Sequence, residues 1–166
     1  PGLTDQIYHY REITGAALDP MAAYLLLRGM KTLHLRIERQ NSSALTIARF
    51  LQGHPHVSAV HYPGLESHPE HAIARKQMRG CGGILSFELR DGVKAMRRML
   101  PRLRYAHLAA NLGSVETVAG PPSTTSHVEL SAEERAAAGI REGLIRYSVG
   151  IESPEDLIAD LEQALG

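Results

Sequence analysis

Apolar positions through "LDPMAAYLLLRGMKTLHLRIERQNSSALTIARFLQGHP", residues 18–55, recur at the spacing of one helix face: Leu27, Met30, Leu33, Ile37, Ala44, Ile47 and Leu51 stand three, four or seven apart. Asp19 is placed to cap the start, Pro20 suits the first helical position, and Gly53 with Pro55 supplies a stop. The pattern predicts one long helix with a continuous apolar stripe, Gly29 marking a bend or a close contact. Ahead of it, "DQIYHYREI" is already helical in character.

Beyond Gly53 the pattern shortens. "VSAVHY" (57–62) is β-branched and aromatic enough for a strand, and "YPGL" turns the chain. Ser67 and Glu70 match a capping box ahead of the short helix "HAIARKQM", which should end near Gly80. "GGILSFEL" (82–89) sets Ile84, Ser86 and Glu88 against Leu85, Phe87 and Leu89, the alternation of a half-buried strand. "GVKAMRRML" reads as helix stopped by Pro101, and "YAHLAANLG" and "VETVAG" as short strands around an exposed loop. After the loop "GPPSTTSH", Ser131 and Glu134 form a second capping box, with Gly139 as the stop. "GLIRYSVG" reads as a strand, and Ser153 and Pro154 open a last helix with Leu157, Ile158, Leu161 and Leu165 on one face. The whole predicts an α/β chain: a small, mostly antiparallel sheet with helices on one side, behind a long leading helix.

Arg146 interrupts that last strand. Alternation puts Leu144, Arg146 and Ser148 on one face and Ile145, Tyr147 and Val149 on the other. A permanently charged guanidinium among apolar neighbours needs an anion. An internal partner such as Glu152 or Glu116 would serve, and so would the carboxylate of a ligand, which an arginine fork grips with two parallel hydrogen bonds.

Composition narrows the classes. With 166 residues, 43% of them hydrophobic and 22% charged, the chain suits a single folded domain. Eighteen basic residues balance eighteen acidic ones, so no net field favours nucleic acid or an anionic membrane. A single cysteine and the lack of a long apolar run suggest a soluble, cytoplasmic protein. The start at Pro1 suggests a piece of something longer.

Other chemistry-bearing residues invite plainer readings. His68 and His71 of "HPEH" have no HExxH, CxxC or third ligand beside them, so no metal site is expected. "GCGG" (80–83) precedes a strand instead of joining strand to helix, which excludes a phosphate loop, and Cys81 has no base nearby in sequence. Arg28, Lys31, Arg36 and Arg39 read as a solvated or partner-facing side of the long helix.

Three stretches carry a resemblance: "YLLLRGMKTLHLRIERQNSSALTIARFLQGHPHVSAVHYPGLESHPEHAIARKQMRGCGGILSFEL", "NLGSVETVAGPPSTTSH" and "GLIRYSVGIESPEDLIADLEQAL". Read in order, they resemble the C-terminal part of the Cys/Met-metabolism family of pyridoxal-phosphate enzymes. That family comprises cystathionine γ-synthases, cystathionine γ- and β-lyases, methionine γ-lyases and homoserine-ester sulfhydrylases. "RGMKTLHLR" and the "YPGL" and "SHPEH" pieces lean toward the γ-synthase branch, which performs γ-replacement on an O-acylhomoserine.

The resemblance implies the small α+β domain of a fold-type-I enzyme over residues 20–166, with 1–19 as a connecting segment. It implies partners too: an amino-acid substrate, an N-terminal domain holding pyridoxal 5'-phosphate, and further copies in a homotetramer. The cofactor would stabilise carbanions during elimination or replacement. Arg146 would bind the substrate α-carboxylate. Asn111, Leu112 and Gly113 would shape the site beside it, Asn111 standing where relatives commonly carry serine and Ala110 where some place an acid. The family's cofactor-binding lysine has no counterpart here, since Lys31, Lys76 and Lys94 lack its S-x-T-K-like context. The chain is therefore expected to carry no catalytic residue and to be inactive alone, with a lyase, or a non-catalytic ligand-binding or oligomerisation module, as the alternatives.

Overall fold

The computed structural model describes residues 2–166, which divide into two compact units, one reaching to His34 and the other running from Leu35 to Gly166. The first holds helices α1 (Gly2–Thr14) and α2 (Pro20–Met30). Asp19 caps α2 as expected: its Oδ1 accepts the backbone N–H groups of Met21 (2.8 Å) and Ala22 (3.1 Å). The single helix expected from Pro20 to Gly53 is two. A turn at Lys31–Thr32 separates α2 from α3 (Leu33–Gly53), and the apolar stripe is buried only in its second half. Ala44, Ile47 and Leu51 are fully buried, whereas Leu27, Met30, Leu33 and Ile37 are exposed.

The second unit is built on a five-stranded sheet of β1 (Val57–His61), β2 (Ile84–Leu89), β3 (His107–Leu108), β4 (Val118–Gly120) and β5 (Leu144–Ser148), in the order β1-β2-β5-β4-β3. All neighbours are antiparallel except the short β3–β4 pair. Helices α4 (His71–Gln77), α5 (Gly92–Met99), α6 (Ala132–Ala137) and α7 (Pro154–Leu165) connect or follow the strands. Alternation along β2 and β5 sends Leu85, Phe87, Leu89, Ile145 and Tyr147 to one face. There they meet Ile47 and Leu51 of α3, Met96 and Met99 of α5, and Leu157 and Leu161 of α7. Full burial of each such Leu, Ile or Phe contributes about 1.5–3 kcal/mol. The opposite face of β5 carries Arg146.

Both later caps form as the sequence predicts. Ser131 and Glu134 exchange capping-box bonds at α6, and Ser153 Oγ accepts the Asp156 N–H at the start of α7. The earlier capping box does not form. Ser67 Oγ instead accepts from Gln52 Nε2 at 2.8 Å, α4 begins only after Glu70, and His68 Nδ1 accepts the Glu70 N–H at 3.2 Å. Pro101 lies inside a one-turn 3-10 helix, Leu100–Arg102, that prolongs α5. No helix among the described residues is long and apolar enough to cross a membrane.

Candidate functional site

Arg146 occupies the central strand β5, paired with Ser86 on β2 and Gly120 on β4. Being half-buried in the middle of a sheet, its backbone is fixed before any ligand arrives. Its Nη2 donates to the carbonyl oxygens of Ala110 (2.8 Å) and Asn111 (2.9 Å). Nε is buried and finds no partner among the described residues. Nη1 makes no hydrogen bond among the described residues, nor is it one of the buried unpaired atoms, so it is the open end of the fork.

Neither acid considered as an internal counter-ion meets this guanidinium. Glu152 Oε1 accepts the Thr117 N–H at 2.6 Å and its Oε2 accepts the Thr117 hydroxyl at 2.8 Å. Glu116 is exposed and accepts from the Ser114 hydroxyl, which, together with a backbone hydrogen bond, holds its carboxyl below the usual range. Among the described residues no ion pair involves Arg146. The open Nη1 beside the tethered Nη2 is an unfinished end of the fork, of the kind that an arriving carboxylate completes, while Nε–H on the other edge stays buried.

The structure brings the other expected site residues to the same place. Asn111 contributes its carbonyl to Arg146, while the Asn111 and Leu112 side chains are exposed. Gly113 sits at φ +78°, open to glycine and strained for other residues, and its N–H donates to Ser148 Oγ at 3.0 Å. Three contributors escaped the sequence reading as site residues. Ser148 and Thr117 are two, although alternation had already put Ser148 on the Arg146 face. Gln40 of α3 is the third: nearly fully buried, it donates from Nε2 to the Ser114 carbonyl at 2.8 Å, a contact 74 residues distant that no local pattern signals.

Elsewhere, His71 Nδ1 lies 2.8 Å from the Pro63 carbonyl, so both "HPEH" histidines are engaged by backbone. Cys81 is half-buried beside the core, where Tyr62 donates its hydroxyl to the Gly82 carbonyl at 2.9 Å. Pyridoxal phosphate, implied by the resemblance, is attached through a lysine amine, which requires a desolvated, preorganised group. Lys31, Lys76 and Lys94 are all exposed and do not fit that requirement.

Comparison with known proteins gives the chain's family. The family model described as "Cys/Met metabolism PLP-dependent enzyme" matches residues 2–166. An L-methionine gamma-lyase of Fusobacterium nucleatum subsp. polymorphum is 47% identical over 165 residues, 98% of this chain and 42% of that protein. The chloroplastic cystathionine gamma-synthase 1 of Nicotiana tabacum is 46% identical over 163 residues, 98% of this chain and 30% of that protein. The crystal structure of cystathionine gamma synthase from Xanthomonas oryzae pv. oryzae in complex with cystathionine superposes with a TM-score of 0.93 at 43% identity, covering 99% of this chain and 42% of that one. The chain thus spans less than half the length of these relatives, and over that span it belongs to the Cys/Met-metabolism family of pyridoxal-phosphate-dependent enzymes.

Proposed function

We propose that this chain is the substrate-carboxylate-binding part of a cystathionine γ-synthase-like enzyme that carries out γ-replacement on an O-acylhomoserine. Residues 20–166 serve as the substrate-binding domain, with 1–19 as the connecting segment. The remainder of the protein carries the cofactor and its lysine, in a cytoplasmic homotetramer. The observation that carries this reading is the state of Arg146: Nη2 tethered to two carbonyls, Nη1 open, and no acid in contact among the described residues. A carboxylate approaching the Nη1–Nη2 edge takes the free Nη1 hydrogens and competes with one loop carbonyl for Nη2. Because strand and loop hold the guanidinium in advance, little orientation remains to be gained when substrate arrives.

The synthase branch is supported by the cystathionine-bound Xanthomonas relative at 43% identity, and a methionine γ-lyase reading by the Fusobacterium protein at 47%. The test gives the whole protein, loaded with pyridoxal phosphate, an O-acylhomoserine with cysteine, then cystathionine and methionine separately. Cystathionine formation is expected; keto acid released without any cystathionine overturns the synthase reading in favour of the lyase. In the same protein, Arg146→Ala should weaken capture of amino acids by about 2–5 kcal/mol. An unchanged kcat/KM overturns the carboxylate role.

A further inference from the structure

The loop that holds Arg146 is itself held at several points, all within the Leu35–Gly166 unit. Gly113 N–H is fixed by Ser148 Oγ (3.0 Å), the Ser114 carbonyl by Gln40 Nε2 (2.8 Å) and the Val115 carbonyl by the Ile151 N–H (2.9 Å). Its C-terminal end is fixed by Glu152, whose two carboxylate oxygens take both the N–H and the hydroxyl of Thr117. The Thr117 hydroxyl in turn accepts the buried Gly150 N–H at 2.9 Å. Thr117 is fully buried, so this bridge is shielded from competing water.

Gly150 explains how the two segments come so close. A Cβ added there would lie 2.2 Å from the Val115 carbonyl oxygen and 2.3 Å from Glu152 Oε2. Strand β5 therefore delivers Arg146 and Ser148, and the turn directly after it delivers Gly150 and Glu152, all onto residues 110–117.

Resting on the carboxylate reading of Arg146 above, we infer that Thr117 and Glu152 are positioning residues. Their bridge locks the 110–117 loop so that the Ala110 and Asn111 carbonyls pin Nη2 and aim the open Nη1 at the incoming carboxylate. The bridge touches no substrate. Its effect is carried by two backbone carbonyls.

The experiment uses the whole protein loaded with its cofactor and compares Thr117→Val, which keeps the shape and removes the hydroxyl, with Thr117→Ser, which keeps the hydroxyl. Thr117→Val should raise KM for the amino-acid substrate about tenfold, a loss of about 1.4 kcal/mol, and leave kcat within about twofold. Thr117→Ser should restore KM. Inhibition by 2-aminobutyrate should weaken in parallel, whereas propylamine, the same skeleton without the carboxylate, should inhibit wild type and Thr117→Val equally. Hydrogen exchange at the Gly113 and Thr117 amides should quicken in Thr117→Val.

In an Arg146→Ala background, Thr117→Val should add less than about twofold to KM. An equal effect with and without Arg146, an equal loss for propylamine, or an unchanged KM in Thr117→Val overturns the positioning role. Should Arg146→Ala itself leave KM unaltered, the carboxylate reading falls and takes this inference with it. Glu152→Gln, which keeps an acceptor for the Thr117 N–H but no charge, provides the same comparison should Thr117→Val fail to fold.

Discussion

Glu152 holds Thr117 and not Arg146: its two oxygens sit 2.6 Å and 2.8 Å from the Thr117 nitrogen and hydroxyl. One of the two acids that could have served as the arginine's internal counter-ion is thereby engaged elsewhere. A guanidinium left with carbonyl partners keeps its full charge available to a ligand, because carbonyls orient without neutralising.

Arg146→Lys should fall between wild type and Arg146→Ala. An ammonium can donate to the Ala110 and Asn111 carbonyls but has no planar second edge, so satisfying the loop leaves one donor for the carboxylate. Capture of the amino-acid substrate should drop about tenfold, or about 1.4 kcal/mol, as read from kcat/KM in the whole protein. Wild-type kcat/KM in this variant would mean that charge alone suffices.

The sequence made Arg146 legible because a strand alternates, and one charged residue in an apolar run is conspicuous wherever that run is placed. Ser131 with Glu134 was legible for a similar reason, since cap and helix are contiguous. The identical spacing of Ser67 and Glu70 misled because Gln52, distant in sequence, binds the Ser67 hydroxyl and the helix starts later. The break at Lys31–Thr32 contains neither glycine nor proline, so periodicity ran straight through it. What holds the site loop depends on contacts between residues 35 to 74 apart, Thr117 with Glu152 and Gln40 with Ser114, which local patterns do not encode.

Gly150→Ala should damage the site without touching the substrate. The added methyl meets a backbone carbonyl and a carboxylate oxygen well inside contact distance, so the 115–117 backbone has to move away. Faster hydrogen exchange of the Gly113, Thr117 and Ile151 amides, with a rise in KM, is the expected result. Wild-type exchange at those amides would show that the two segments separate freely.

Asp160 anchors the turn before β3. Nearly fully buried, it accepts the N–H groups of Arg104 (2.9 Å to Oδ1) and Tyr105 (3.0 Å to Oδ2) and an amide hydrogen of Gln163 (3.0 Å). Asp160→Ala leaves two backbone donors unpaired and should cost about 2–4 kcal/mol of local stability. Asp160→Asn, which retains one acceptor, should cost less. Hydrogen exchange at Arg104 and Tyr105 measures both, and equal protection in wild type and Asp160→Ala would contradict the anchor.

Two core phenols make the second unit sensitive to alkali. Burial, helped by the nearby Cys81 thiol, pushes Tyr62 up to about 12, and burial with Asp160 and Glu152 nearby pushes Tyr147 well above the usual tyrosine range. Unfolded tyrosine titrates near 10. Between those values the native state keeps protons that the unfolded chain has lost, so it binds more of them and stability falls as pH rises. The contribution is complete below about pH 10 and disappears as pH climbs through about 12. The two phenols differ in what they lose on substitution. Tyr62 donates to the Gly82 carbonyl at 2.9 Å, so Tyr62→Phe should cost about 1 kcal/mol at neutral pH while flattening the alkaline fall. The Tyr147 hydroxyl is buried with no partner among the described residues, so Tyr147→Phe should leave neutral-pH stability unchanged or raise it by up to about 1 kcal/mol. Urea unfolding of both variants at pH 7 and across the alkaline window reads the two effects separately. A clear neutral-pH loss in Tyr147→Phe would show that its hydroxyl is satisfied after all.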